Sequence, residues 1–193
     1  ALAAAALARA AGVDAEAVAS GLRHYSPGAH RIVTVAEADG VTWVDDSKAT
    51  NPHSAEAALT SLPQGTGVWI CGGDTKGAQF FDLVRTVRPH LRGAVVIGKD
   101  QSDILAALEQ EAPGLPVTRI SHAAPEQVSA TAVEAAGTMA RSGDTVMLAP
   151  ACASWDQFTS YAQRGDLFAA AAKAYAGGGT PETTDASGVQ EKL

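Results

Sequence analysis

Gly67-Val68-Trp69-Ile70-Cys71-Gly72-Gly73-Asp74-Thr75-Lys76-Gly77 is a short apolar run that stops at a pair of glycines. An uninterrupted apolar run bounded by turn formers reads as a strand buried on both faces, followed by a tight turn. The next stretch, 80–91, is mostly helical in pattern, and 93–97 is a second continuous apolar strand. The alternation extends outward from there. Downstream, 101–111 reads as helix, 117–120 as strand, 125–140 as helix, 145–148 as strand and 158–175 as the last helix. Upstream, 51–62 is helical, and the β-rich runs 31–37 and 41–46 flank Ala38-Asp39-Gly40, whose Asp-Gly pair marks a hairpin turn. At the front, 3–11 reads as a helix ended by Gly12, and 14–22 as a short helix capped by Asp14. The stretch 25–30, with Pro27 and Gly28, is a connector.

Strands without polar alternation, separated by helices, need cover on both faces. The expected fold is α/β: a Rossmann-like three-layer domain with a mostly parallel sheet of about six strands, an antiparallel edge hairpin and helices on both faces. The tail, 177–193, is rich in Gly, Thr, Ser and acids. It lacks apolar surface to bury and is expected to be disordered. No internal repeat is present.

Aromatic residues make up only 5% of the 193, so the core must be built from Ala, Val, Leu and Ile. The net charge of −7 attracts no polyanion as a whole and argues against a nucleic-acid partner. No apolar run approaches the roughly 20 residues a bilayer span needs. The Ala-rich start is broken by Arg9 and has no basic segment before it, which argues against a signal peptide. Cys71 and Cys152 form no disulfide framework, and a reducing cytoplasm fits them. Ala1 sits inside a helical run without an initiator Met, so the chain is expected to be a piece of a longer protein.

In an open α/β sheet, ligands bind beyond the carboxyl ends of the strands. Three unusual segments follow predicted strands directly: Asp45-Asp46-Ser47-Lys48-Ala49-Thr50-Asn51, Gly72-Gly73-Asp74-Thr75-Lys76-Gly77 and Ala149-Pro150-Ala151-Cys152-Ala153-Ser154. In the first, Ser47, Thr50 and Asn51 read either as helix caps or as ligand contacts. Lys48 does not suit a cap, because a helix start disfavours cations. In the second, Gly72 and Gly73 either let backbone N–H groups approach an anion or supply the positive φ that a turn needs. Lys76 is placed to pair with a carboxylate. The phosphate-loop pattern G-x-x-x-x-G-K-[ST] cannot be laid on this segment or elsewhere in the chain, and the G-x-G-x-x-G spacing of dinucleotide-binding domains is missing. In the third, Ser154 reads either as the N-cap of a helix starting near Asp156 or as a ligand contact. Cys152 reads as a buried, inert thiol, and Cys71 as core. His24, His30, His53, His90 and His122 have no metal-ligand spacing, and no metal site is expected. Arg31 reads either as a surface ion-pair residue or as an edge contact to a ligand. Trp43, Trp69 and Trp155 read as packing residues.

Together these segments resemble one family. Asp46-Ser47-Lys48-Ala49-Thr50-Asn51 is similar to the D-S-K-A-T-N signature of the D-glutamate-adding Mur ligases. Gly72-Gly73-Asp74-Thr75-Lys76 is similar to their G-G-x-x-K turn. Pro150-Ala151-Cys152-Ala153-Ser154-Trp155-Asp156-Gln157-Phe158, then Gln163-Arg164-Gly165, resembles their S-P-A-C-A-S-x-D-Q-F and Q-R-G run. Their proline-His-Arg entry corresponds to Gly28-Ala29-His30-Arg31. The resemblance runs in order from Ala1 to about Ala176, with Tyr161 where Phe is usual and Ala149 where Ser is common.

The resemblance implies the C-terminal, amino-acid-binding domain (25–176) of an ATP-dependent amide ligase, with 1–24 continuing from a central ATPase domain. In the full-length enzyme, ATP with Mg2+ phosphorylates the carboxylate of UDP-N-acetylmuramoyl-L-alanine, and the amine of D-glutamate attacks the acyl phosphate. Lys76 and Thr50 would hold one glutamate carboxylate, and Ser154 with the Tyr161 backbone the other. Lys48 would supply positive charge near the amino acid and the transferred phosphoryl, and Asp46 and Arg31 would touch the nucleotide. A monomer is implied, with no cofactor held tightly by this stretch alone and no ligase activity from it alone. The alternatives are another Mur ligase, a folylpolyglutamate synthase, or a non-catalytic Rossmann-like binding module.

Overall fold

The computed structural model describes residues 1–25, 28–121, 124–178 and 189–190, the last pair by backbone only. Expectations that fall on Pro27, on His122 and on most of the tail lie outside the described residues. The elements run α1 (Leu2–Ala10), α2 (Ala15–His24), β1 (Val33–Ala38), β2 (Val41–Asp45), α3 (Pro52–Leu59), β3 (Gly67–Gly72) and α4 (Phe81–Val87). A 3-10 turn (Arg88–His90) leads into β4 (Leu91–Ile97). Then follow α5 (Ser102–Glu111), β5 (Val117–Ile120), α6 (Pro125–Met139), β6 (Thr145–Leu148), α7 (Tyr161–Ala176) and β7 (Val189–Gln190).

Among the described residues the strands form one sheet in the order β1-β2-β6-β3-β4-β5-β7. The pairings from β2 through β5 are parallel, and β1 joins β2 antiparallel through the hairpin at Asp39 and Gly40. This is the expected mostly parallel sheet with an antiparallel edge hairpin. The tail contributes the two-residue β7, antiparallel to β5.

The period-two geometry of a strand sorts the apolar run into two cores. Trp69 and Cys71 face α3, α4 and α5, packing with Leu59, Val84 and Ile104. Val68 and Ile70 face the other way, packing with Val128, Val133 and Phe168 of α6 and α7. Each fully buried Val, Leu, Ile or Phe contributes about 1.5–3 kcal/mol, so neither layer is dispensable. Trp43 and Trp69 are packing residues as expected, at 1% and 0% exposure. Trp155 is not: it is 77% exposed, because the segment carrying it is a loop at the sheet rim rather than a helix packed on the sheet.

Several element boundaries differ from the sequence expectation, three of them for a clear local reason. The first strand begins at Val33, not residue 31, because Ile32 has φ 50°, which breaks an extended run. The α-helix expected over 80–91 stops at Val87, because Pro89 has no N–H to continue the i→i−4 ladder, and Arg88–His90 goes on as a 3-10 turn. The last helix starts at Tyr161, where Ser160 Oγ accepts from the Gln163 N–H. Helices α1 and α2 bury no side chain; Leu2 and Leu7 are 89% and 73% exposed.

Candidate active site

Strands β2, β6 and β3 are neighbours, so their carboxyl ends put the three unusual segments side by side. Backbone hydrogen bonds then join the loops beyond the sheet. Asp46 N donates to Leu148 O at 2.9 Å, and Ala151 N donates to Ala49 O at 2.9 Å. Gly72 N donates to Pro150 O at 2.9 Å. Asp74 and Ala153 form an antiparallel bridge, exchanging two bonds of 2.9 Å. The end of β4 joins the same rim: Gly98 N donates to Gln157 Oε1 at 2.7 Å, and Lys99 N to Asp156 Oδ2 at 2.9 Å.

The glycine pair is explained by the turn itself. Gly72 and Gly73 have φ of 112° and 129°. A Cβ at Gly72 would lie 2.0 Å from Ile97 O, and one at Gly73 would lie 2.3 Å from Ala153 O. Lys76 sits in the left-handed region at φ 49°, with its N–H held by Asp74 Oδ1 at 3.0 Å. Such backbone costs about 1–3 kcal/mol and persists only where the surroundings enforce it. The Lys76 side chain is exposed, and neither its ammonium nor the Thr50 hydroxyl has a hydrogen-bond partner among the described residues.

Asn51 is a helix cap, accepting the Ser54 N–H at 3.0 Å. Ser47 is not; its hydroxyl donates to Tyr161 O at 2.7 Å. Ser154 is not a cap either. Its carbonyl accepts from the N–H groups of Gln157 and Phe158 in a turn, and its hydroxyl is buried without a partner. A buried hydroxyl left unpaired costs about 1–3 kcal/mol, a cost that a ligand accepting from it would remove.

Asp46 is 6% exposed, and its pKa is raised from 3.8 to about 6. Burial is the main cause, with the Asp45 charge adding to it; the Ile32 backbone hydrogen bond and the Arg31 charge oppose it. Arg31 itself is exposed and forms no ion pair among the described residues, so the surface salt-bridge reading does not hold. Burial pushes the Cys152 thiol up to about 12 and Cys71 well above its ordinary range. Neither is a nucleophile at neutral pH.

Sequence reasoning missed Arg164. This side chain is 1% exposed and lies beneath the loops. Its Nε donates to Ser47 Oγ at 3.0 Å, and its Nη2 to Ser47 O at 2.9 Å and Cys152 O at 3.2 Å, while Nη1 has no partner. Burial lowers its pKa to about 10, which leaves it charged at neutral pH. Gly165 was equally silent in the sequence. A Cβ there would lie 2.3 Å from His30 Nδ1, so a side chain would displace His30 from Asp45, whose Oδ2 it meets at 2.6 Å. The signal was the Gln163-Arg164-Gly165 run, but Ser47, His30 and Asp45, against which it packs, lie more than a hundred residues away.

The structure thus brings Asp46, Ser47, Lys48 and Tyr161 into one cluster and ties the Lys76 turn to the Ser154 loop. The arrangement offers separate cationic and hydroxyl groups to an anion at one rim. Among the described residues no cluster of three or more His, Cys, Asp or Glu side chains forms a cation cage. No helix among them is long and apolar enough to cross a membrane.

Comparison with known proteins agrees with this geometry. A family model described as the glutamate ligase domain of Mur ligases matches residues 30–152. The chain is 54% identical over 177 residues to a UDP-N-acetylmuramoylalanine--D-glutamate ligase of Frankia casuarinae, covering 92% of this chain and 36% of that protein. A ligase of the same name from Leifsonia xyli subsp. xyli is 49% identical over 186 residues, covering 96% and 36%. The chain therefore spans about a third of the length of these relatives. Among solved structures, MurF ligase from Thermotoga maritima in complex with ADP aligns with a TM-score of 0.52 at 15% identity, over 89% of this chain and 37% of that one. A bifunctional folylpolyglutamate synthase/dihydrofolate synthase from Yersinia pestis aligns with a TM-score of 0.52 at 18% identity, over 81% and 34%. These two likenesses bear on the fold alone. With the family model spanning most of the sheet and half of the residues shared with named relatives, the chain belongs to the glutamate ligase domain family of the Mur ligases.

Proposed function

We propose that this chain is the amino-acid-binding domain of an ATP-dependent ligase that adds D-glutamate to UDP-N-acetylmuramoyl-L-alanine. The observation that carries the reading is the joining of three loops at one rim around a buried, unpartnered Ser154 hydroxyl. D-glutamate is a dicarboxylate and needs two anion sites. Lys76 with Thr50 serves one carboxylate. Ser154, with the N–H of Tyr161 at the first position of α7, serves the other. Lys48 supplies positive charge beside the transferred phosphoryl, and Asp46 and Arg31 contact the nucleotide. The names and the degree of identity of the relatives support this assignment.

In the proposed reaction, the γ-phosphoryl of ATP passes to the carboxylate of UDP-N-acetylmuramoyl-L-alanine, leaving ADP. The amine of D-glutamate then attacks the acyl carbon, inorganic phosphate departs, and the amine's proton passes to base or solvent. This domain contributes positioning and electrostatics, since the acyl phosphate is already reactive. Mg2+ would accompany ATP in the whole enzyme; among the described residues of this domain no cluster of three or more His, Cys, Asp or Glu side chains is gathered to hold it. Residues 1–24, whose helices bury nothing, belong with the preceding domain, and 25–176 form the amino-acid-binding unit.

The test is phosphate release coupled to amide formation by the full-length ligase, with D-glutamate, L-glutamate and diaminopimelate offered in turn. Turnover with D-glutamate alone is expected, and Lys76→Met is expected to lower kcat/KM for it by about 100-fold, the loss of a charged contact. This domain alone is expected to be inactive. Preference for diaminopimelate, or full activity in Lys76→Met, would refute the assignment.

A further inference from the structure

Lys48 is held by an aromatic side chain rather than by a carboxylate. Its Nζ donates to the Tyr161 hydroxyl at 3.2 Å and lies 4.8 Å from the centroid of the same ring. Among the described residues Lys48 forms no ion pair. The ring is itself fixed. Its residue opens α7, with its carbonyl accepting from Ser47 Oγ at 2.7 Å. His30 meets the ring edge-on, with centroids 6.1 Å apart and planes at 76°. His30 is in turn bound at Nδ1 to Asp45 Oδ2 at 2.6 Å, and Asp45 Oδ1 accepts the Ser47 N–H at 2.8 Å. A closed circuit of contacts, Asp45 to His30 to Tyr161 to Ser47 and back, therefore sets where the phenol stands.

We propose that the Tyr161 side chain is a positioning residue for the Lys48 ammonium, aiming it without neutralising it. This rests on the reading above, in which Lys48 faces the transferred phosphoryl. A flexible lysine at a rim samples many rotamers, and fixing it in one place requires a partner. A carboxylate partner would fix the ammonium but cancel its charge toward an incoming anion. A neutral phenol accepts one hydrogen bond through its oxygen, and its ring face attracts the cation, while the charge stays available. The hydroxyl is what a phenylalanine at this position would lack. The ring alone would retain part of the attraction but not the directional bond.

The experiment is a double-mutant cycle in the full-length ligase, reading kcat and KM for each substrate alongside thermal stability. Tyr161→Phe is expected to lower kcat about 5-fold, the size of one typical hydrogen bond's net contribution, with KM for D-glutamate and the melting temperature unchanged. Tyr161→Leu, which also removes the ring face, is expected to lower kcat further. In a Lys48→Met background, Tyr161→Phe is expected to have no further effect, because the group it positions is gone. An unchanged kcat in Tyr161→Phe would overturn the proposal while leaving the ligase assignment standing. So would a kcat loss of the same size with and without Lys48. A fully active Lys48→Met would sink the role assigned to Lys48, and this proposal with it.

Discussion

The two rims of the sheet treat their charges in opposite ways. At the amino-end rim, Asp144 precedes β6 and is 2% exposed. It accepts from Nε and Nη2 of Arg92 and, at 2.8 Å, from the Arg141 N–H. The hairpin closes on the same side through Gly143 N to Gly40 O at 2.8 Å. At the carboxyl-end rim, Ser154 Oγ, Asp156 Oδ1 and Arg164 Nη1 are buried with no partner, and four non-glycine residues, His30, Ile32, Lys76 and Ala151, hold positive φ, against Asp39 at the amino-end rim. Buried polar groups are ordinarily paired. The amino-end rim follows that rule and stabilises the fold. The carboxyl-end rim departs from it at the loops to which the proposed function assigns D-glutamate, and on that proposal the unpaired groups are kept for a ligand.

The contrast can be broken first at its scaffold. Gly72→Ala would drive a Cβ into Ile97 O at a backbone angle that alanine resists. It is expected to destabilise by about 3–5 kcal/mol, seen as a large loss of urea midpoint. A stable Gly72→Ala domain would mean the turn is not held as described. The amino-end rim predicts an effect on stability alone. Asp144→Ala is expected to cost about 2–3 kcal/mol, since it strands Arg92 and the Arg141 N–H, with kcat per folded full-length enzyme unchanged. A fall in kcat there would blur the division between the rims.

The carboxyl-end rim predicts the reverse. Ser154→Ala removes an unpaired buried hydroxyl, so stability is expected to hold within about 0.5 kcal/mol or to rise. The kcat/KM for D-glutamate is expected to fall about tenfold. A melting temperature that falls with activity intact would make Ser154 structural.

The rim also carries a pH response. The folded pKa of Asp46, about 6, lies above its ordinary 3.8, so the folded chain binds the extra proton between those values. Its contribution to stability is therefore present in acid and is lost as pH rises from about 4 through 6. Asp46→Asn is expected to flatten the melting-temperature profile across that window and to melt higher than the parent at pH 7.5. An unaltered profile would show that Asp46 is solvated.

Much of this was legible in the sequence because it is local. Apolar runs between helical stretches dictated the sheet and its layers, and the Asp39-Gly40 pair dictated the edge hairpin. The rule that ligands sit at strand ends singled out the rim at which the structure joins the three segments. What stayed hidden depends on contacts across the chain. Ser154 looked like a cap until Ser160 proved to be the helix start. Trp155 looked like core until its loop proved to lie on the rim. Arg164 gains its role from Ser47, 117 residues away, and the Tyr161 hydroxyl gains its role from Lys48, 113 residues away. No periodicity or propensity encodes such pairs.

The central claim is that segments distant in the chain serve one small dianion together. Titrating the 15N-labelled domain with D-glutamate at millimolar concentration, with L-glutamate as control, tests it directly. Coordinated amide shifts at 46–51, 73–77 and 152–156, with D-glutamate favoured, are predicted. Shifts confined to one of those segments, or centred on the apolar groove at the amino-end rim between Leu105, Leu115 and Met139, would contradict it.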